Sequence, residues 1–391
     1  MSDLGQASER PGIFVFDFYS SSKMHLPFNE GYLRILRQAY PDDVIHFYAD
    51  AAHVAHLRLA LADVDIRLVA LMRPQVPFGL SNHNPIGGWW TGRASLKLMR
   101  AAITGPVRLV AVLGVGSGLY GAITRHWRAE SSPVDMILHG SLAANYVWRS
   151  RNPFIRGWDL RSLLGHPITP GLRLVGLELG VDVALVADFP ALAPSVAVLE
   201  HPVLEREWSD TPVSTAGPVT IGFLGYGSVR KGFDIFAGLA KQSKNSALVF
   251  DGIGHEDPVP GLDTSGLRRK LAAVSIDRNT YLQGLRGLDL VCLPLHGRSY
   301  EFAASGTVSD AVAALKPILA FRNRTLQAIW DRYGPVGRLF SDADEMAGYL
   351  RTLTRSQFED ERRIWVENLR RMRAARRPEA LGETYRKSPR P

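Results

Sequence analysis

Apolar residues recur along this chain in two alternating rhythms. Short runs rich in branched and aromatic side chains, at residues 13–18, 44–48, 66–71, 107–113 and 134–138, have the length and continuity of buried parallel strands. Between them lie stretches with apolar positions at helical spacing: 27–40, opened by Pro27 near a first-turn position, then 53–62 and 93–104. A glycine-rich turn at 114–121 leads from the fourth run into a further helix, and runs at 172–179 and 181–186 read as closing strands. The small, Pro- and Gly-rich stretch 209–218 reads as a linker, after which the rhythm restarts. The spacing predicts strands at 219–224, 247–251, 288–295 and 318–321, with helices over 232–240 and 267–273, one starting at Ser305, and most of 343–375. Strands alternating with helices in this way predict parallel sheets with covered faces. The reading is an α/β protein with one domain over 11–208, a second over 219–355, and a basic helix with a frayed tail over 356–391.

Length and composition agree with two domains. A chain of 391 residues exceeds one ordinary domain, and 46% hydrophobic residues supply two cores. The charge is basic, 46 Lys and Arg against 38 Asp and Glu, which favours anionic partners such as nucleotides, nucleic acid or an acidic membrane surface. The single cysteine, Cys292, lies in an apolar run; it excludes an internal disulfide and a cysteine-based zinc site, and suits a reducing cytoplasm. The polar N-terminal residues 1–12 carry no apolar core, so no secretory leader is expected, and no apolar stretch is long enough for a bilayer span.

The candidate chemistry concentrates in the second half. Residues 220–236, TIGFLGYGSVRKGFDIF, combine a strand, a loop in which Gly225 and Gly227 permit close backbone approach, the adjacent cations Arg230 and Lys231, and a helix. A guanidinium fork beside an ammonium point charge suits a diphosphate. Farther on, the run 288–295 is followed by a polar loop and by Ser305, Gly306 and Thr307 at a helix start. Unpaired N–H groups and the positive dipole end make such a start an anion site, although an ordinary βαβ unit with a Ser/Thr cap has the same outline.

The pattern G-x5-K-G-x-D from Gly225 to Asp234, with D-A-x5-P from Asp310 to Pro317, resembles retaining GT-B glycosyltransferases of the family-4 type over roughly residues 218–325. The first half shares only their strand–helix rhythm. The resemblance implies two Rossmann-like domains facing across a cleft, with a nucleoside-diphosphate sugar held mainly by the second. It places Lys231 on the donor diphosphate, with Arg230 sharing the charge and Gly225, Tyr226 and Gly227 lining the approach. Ser305, Gly306 and Thr307 would offer backbone N–H groups, and Asp310 would stand for the second acid of an E-x7-E motif, on the donor ribose. Two departures stand out. The arginine usual before the lysine is absent, Tyr226 and Gly225 lying there instead, and the first motif acid would fall on Phe302, with Glu301 one residue away.

Other motifs compete. Gly116, Gly118 and Gly121 satisfy the dinucleotide fingerprint G-x-G-x-x-G, yet Asp135 lies at the start of the next strand, where a ribose-binding acid should end it. These glycines read instead as sites of close packing or of acceptor approach. His25, His83, His139 and His296 fall in loops that flank strands, where open α/β sheets place ligands. Of these, His139 is the candidate for contact with the transferred sugar, and His25 with Asn29 for the acceptor. Residues 145–166 carry four arginines, two tryptophans and one acid. With Arg93, Lys97 and Arg100 they read either as a solvated amphipathic face or as a patch for anionic lipid.

The expected function is sugar transfer to an anionic, lipid-linked saccharide acceptor in bacterial-type surface polysaccharide assembly. The expected location is the cytoplasm, at the inner membrane face, with no cofactor or metal besides the donor and no nucleic-acid partner. A nucleotide-sugar epimerase of the same fold, and a catalytically silent scaffold binding nucleic acid or a protein through its arginines, are the alternatives.

Overall fold

The computed structural model describes residues 10–75, 85–127, 132–139, 142, 159–208, 210, 216–257, 259–295 and 298–390. The chain forms two compact units, residues 1–200 with 378–391, and residues 201–377. His83, His296, most of the expected linker and residues 145–158 of the arginine-rich stretch lie outside the described residues.

The first unit is built on a seven-stranded parallel sheet of order β3-β2-β1-β4-β5-β6-β7. Its strands are β1 (Gly12–Asp17), β2 (Val44–Ala49), β3 (Arg67–Ala70), β4 (Val107–Leu113), β5 (Val134–Leu138), β6 (Leu172–Gly176) and β7 (Val196–Val198). Helices α1 (Leu26–Ala39), α2 (Ala51–Ala60), α3 (Pro85–Ala102), α4 (Ser117–His126), α5 (Leu160–Leu164) and α6 (Val181–Asp188) occur between strands. β1, β5 and β6 are buried along their whole length, as continuous apolar runs require in a sheet covered on both faces.

Residues 181–186, expected as a strand, belong to the helix α6. An apolar run of this length fits either element. Gly180, at φ 81° before the helix, turns the chain, and Val183 is left 61% exposed on the outer face. Of the glycines of the dinucleotide-like motif, Gly118 packs against the neighbouring helix α3 and Gly121 against Leu163, while Gly116 has open space where a side chain would stand. A Cβ on Gly118 would lie 1.7 Å from the carbonyl oxygen of Gly88, and one on Gly92 would lie 2.2 Å from that of Gly118, so α3 and α4 cross backbone to backbone.

The second unit carries a five-stranded parallel sheet of order β12-β11-β10-β8-β9. Its elements are β8 (Val219–Gly227), α7 (Phe233–Gln242), β9 (Leu248–Glu256), α8 (Arg278–Arg286), β10 (Leu290–Leu293), α9 (Gly306–Ala313), β11 (Ile318–Phe321), α10 (Arg324–Tyr333), β12 (Gly337–Phe340), α11 (Ala343–Thr352) and α12 (Arg355–Ala375). The expected helix over 267–273 is extended instead. It runs beside the edge strand β9 through bridges Asp251–Arg269 and His255–Ala272, with Gly252 N–H donating to the Arg269 carbonyl at 2.7 Å. Unpaired backbone groups on the edge strand and the burial of Leu267 and Leu271 favour that geometry over a helix.

The C-terminal stretch also departs from expectation. Rather than fraying, Pro378–Lys387 forms a last helix, α13, packed on α1 of the first unit. The contact is organised by charge. Asp135, fully buried on β5, accepts from Arg173 at 2.9 and 2.6 Å and from the hydroxyl of Tyr385. Tyr32 on α1 meets Tyr385 at 3.0 Å, and Arg390 reaches Asp135 at 3.4 Å. The acid that a dinucleotide site would present to ribose is therefore spent on a buried ion pair.

Removing one member of a buried pair leaves the other charge unmatched, at a cost of about 3–5 kcal/mol. Asp135→Asn should lower stability to urea by that amount, whereas Lys387→Gln, in an exposed pair with Glu383, should leave it nearly unchanged.

Candidate functional site

In the second unit the glycine loop and the helix start meet at one point. β8 runs between β9 and β10, and Gly225, two residues before its end, stands at φ +88°, a conformation that favours glycine. A Cβ there would stand 3.1 Å from the Lys231 Nζ and 3.3 Å from Thr307 Cγ2, so the ammonium lies directly over the Gly225 backbone and beside the first turn of α9. A single helical turn, Val229–Lys231, carries both cations, and Gly232 at φ +75° then admits α7. A Cβ on Gly232 would press within 2.0 Å of the Pro294 carbonyl oxygen, which fixes the loop against the end of β10.

Lys231 is short of solvent, and burial lowers its pKa; the Asp310 carboxylate opposes that shift and Arg230 adds to it. At the helix start, Ser305 and Thr307 are buried and share a 2.7 Å hydroxyl contact, while Gly306 is exposed with open space where a side chain would stand. The Val308 and Ser309 N–H groups bond the Ser305 carbonyl, which leaves the first two N–H groups of α9 pointing outward without an acceptor among the described residues. A cation short of solvent and a dipole end at the C-terminal rim of a parallel sheet have the chemistry that a phosphate-bearing anion requires.

Asp310 is held more tightly than its sequence suggests. Its two oxygens accept from Arg278 at 2.6 Å and from the Tyr281 hydroxyl at 2.8 Å, and Arg278 also reaches Glu207 at 2.9 Å. Burial raises the pKa of Glu207, with Arg278 pulling the other way. Arg278, Tyr281 and Glu207 escaped sequence reasoning because no motif marks them. The one available signal was an acid in the second turn of an otherwise buried helix, which demands a cation from elsewhere in the fold.

Among the remaining candidates of this unit, Arg230 is exposed, its guanidinium 6.0 Å above the Tyr300 ring. Tyr226 is 40% exposed and lies 4.9 Å from the ring of His255, in register on β9. Gly227 pairs with Glu256 and packs on Leu271 and Phe233. Phe302, where the first motif acid would fall, is 1% exposed and part of the core; Glu301 beside it is half-buried, and its carbonyl accepts from Thr325.

In the first unit His25 and His139 come together. Their rings meet edge to face at 3.9 Å, with Phe28 4.4 Å from His139. His25 sits at φ 54° before α1, and burial lowers its pKa, against the pull of Asp17, so the ring is held neutral near pH 7. Asn29 is buried: its amide donates to Asp17 at 2.6 Å and to His53 Nε2 at 2.8 Å, while His53 Nδ1 donates to the Ser22 carbonyl. Asp17 also accepts from the N–H groups of Tyr19 and Ser20. Asn29 thus shapes the loop after β1 that presents His25.

On another face of this unit, Trp89, Trp90, Arg93, Lys97, Arg100 and His126 line a surface cavity of about 580 Å³. Trp90 is half exposed, Arg93 lies 5.2 Å from the Trp89 ring, and burial with the nearby arginines lowers the pKa of His126. Among the described residues no helix is long and apolar enough to cross a membrane, and no three His, Cys, Asp or Glu side chains are grouped to hold a metal ion.

Lys231→Ala should weaken binding of a nucleoside diphosphate by roughly ten- to a hundredfold in calorimetry, the worth of a charge-assisted phosphate contact of about 1.5–3 kcal/mol. Because burial lowers the lysine pKa, wild-type affinity should begin to fall at a pH below the ordinary lysine value of about 10.4 as the ammonium loses its proton. That step should be absent in the variant.

No protein-family description matches this sequence, and no characterised protein matches it in sequence. Solved structures do match its fold. WaaG, a glycosyltransferase involved in lipopolysaccharide biosynthesis, superposes with a TM-score of 0.58 at 13% identity, covering 96% of this chain and 98% of its own. A glycosyltransferase from Rickettsia africae gives 0.58 at 14% identity, covering 96% and 97%. A putative UDP-N-acetylglucosamine 2-epimerase from Listeria monocytogenes gives 0.52 at 10% identity over 98% of each chain. With its two parallel sheets, this chain has the two-domain α/β architecture of the GT-B glycosyltransferases.

Proposed function

We propose that this protein is a glycosyltransferase that moves a sugar from a nucleoside-diphosphate donor to an anionic, lipid-linked saccharide. The observation that carries the reading is the convergence of Gly225, Lys231 and the first turn of α9 at one rim of the second sheet. In this reading the donor diphosphate lies over Gly225, its charge met by Lys231 and Arg230 and by the N–H groups of Gly306 and Thr307. As the bond to the sugar breaks, negative charge grows on the departing phosphate. Preformed dipoles and cations stabilise that charge without reorganising, which is electrostatic catalysis of a leaving group. His139, after β5, is assigned to the sugar and His25, on the loop after β1, to the acceptor. Retention of anomeric configuration is the expected outcome.

The lipid-linked acceptor is supported by the cavity on α3, where indole rings and three cations share one exposed face. Similarity to WaaG and to WaaB, a lipopolysaccharide outer core galactosyltransferase, supports a role in surface polysaccharide assembly at the inner membrane face. A nucleotide-sugar epimerase is the second reading, favoured by the similarity to the Listeria protein.

Release of nucleoside diphosphate should require both a donor sugar nucleotide and a prenyl-diphosphate-linked saccharide, and Lys231→Ala should abolish it. Interconversion of donor with no acceptor present would favour the epimerase, and no turnover with any UDP-, GDP- or ADP-sugar would overturn both readings.

Each cation near an anionic leaflet contributes about 1 kcal/mol, and salt screens it beyond about 8 Å at physiological strength. The protein should therefore co-sediment with anionic vesicles at low salt, less at high salt, and the Arg93→Glu/Arg100→Glu variant should not. Equal recovery on neutral vesicles would remove the charged-lipid part of the proposal.

A further inference from the structure

A second cavity in the same unit, about 490 Å³, is lined by β9, the extended segment beside it and one face of α8. That volume is within the range of about 300–1,000 Å³ common to small-molecule sites. Gly252, Gly254, Gly284 and Gly287 leave it without side chains at four lining positions, while Arg268, Arg269 and Lys270 stand along one wall. Thr280 and Gln283 line it from α8.

The charges are not equivalent. Arg268 is neutralised by Asp251, which it grips at 3.0 and 2.6 Å. Arg269 and Lys270 make no ion pair with any described residue. Arg269 reaches across to α8: its Nη1 would stand 3.3 Å from a Cβ on Gly284. Among the described residues Asp251 is the one acid lining the cavity, and it is already paired. Two uncompensated cations therefore face a recess of metabolite size.

We propose that this cavity is a second ligand site, distinct from the Lys231 site, that takes a sugar phosphate. The phosphate sits between Arg269 and Lys270, a bidentate fork beside a point charge. The hydroxylated body extends along α8 toward Gln283, whose amide both donates and accepts. The site lies close to the glycine loop, since a Cβ on Gly254 would fall 2.0 Å from the Gly225 carbonyl oxygen.

The test is calorimetry of the full chain with glucose 1-phosphate, glucose and inorganic phosphate, on wild type, Lys231→Ala and Arg269→Glu/Lys270→Glu. The Lys231→Ala protein should retain binding of glucose 1-phosphate, and the double charge reversal should weaken it at least tenfold while keeping the wild-type melting temperature, because both altered side chains are exposed. Lys270→Gln alone should give an intermediate loss. Glucose should not bind, and inorganic phosphate should bind more weakly than the sugar phosphate. Binding lost in Lys231→Ala, or unchanged in the double variant, would place the ligand elsewhere. Equal affinity for phosphate and glucose 1-phosphate would overturn the sugar-phosphate assignment.

Discussion

The second unit turns on one constraint, an ammonium group that must be kept charged where water is scarce. Lys231 lies over a bare backbone because Gly225 has no side chain, and any Cβ there would displace it. Its charge is opposed by burial and supported by Asp310, the counter-charge that most raises its pKa. Asp310 in turn keeps its position through Arg278 and Tyr281, and Arg278 through Glu207. A chain of alternating charges thus runs from the candidate phosphate site into the core. Such networks offset the cost of burial only when each member is satisfied.

The first unit uses the same logic for a different end. Asp17 closes β1, and its carboxylate gathers two loop N–H groups and the Asn29 amide, which passes the order on to His53 and the Ser22 carbonyl. His25 is held in a left-handed conformation at the tip of that loop, against His139. The buried residues beneath His25 set the loop that carries it. Asp135 performs a third version, binding the last helix of the chain to the first sheet through Arg173 and Tyr385.

Much of this architecture was legible in the sequence. Continuous apolar runs such as 107–113 and 134–138 fixed the strands, because parallel strands covered on both faces need no polar alternation. The glycine loop, Lys231 and the Ser305 helix start could be named because anion binding uses local backbone geometry, which a short motif encodes. Where a run fitted both periods, as at 181–186, sequence could not decide, and a left-handed glycine settled it as a helix. Residues 267–273 formed an edge-strand partner because β9 offered unpaired backbone groups, a fact about a neighbour and not about the segment.

The sequence by itself determined the α/β class, the two-domain scale and the presence of a phosphate-type motif, since periodicity, length and glycine spacing are local properties. Tertiary structure decided what each charged residue is for. Asp310 and Asp135 look alike as acids in apolar surroundings, yet one is tied to the candidate site through Arg278 and the other anchors the C-terminal helix through Arg173. Partners 32 and 38 residues apart in sequence are chosen by which elements the sheets bring together, because charge pairing depends on separation in space and not along the chain.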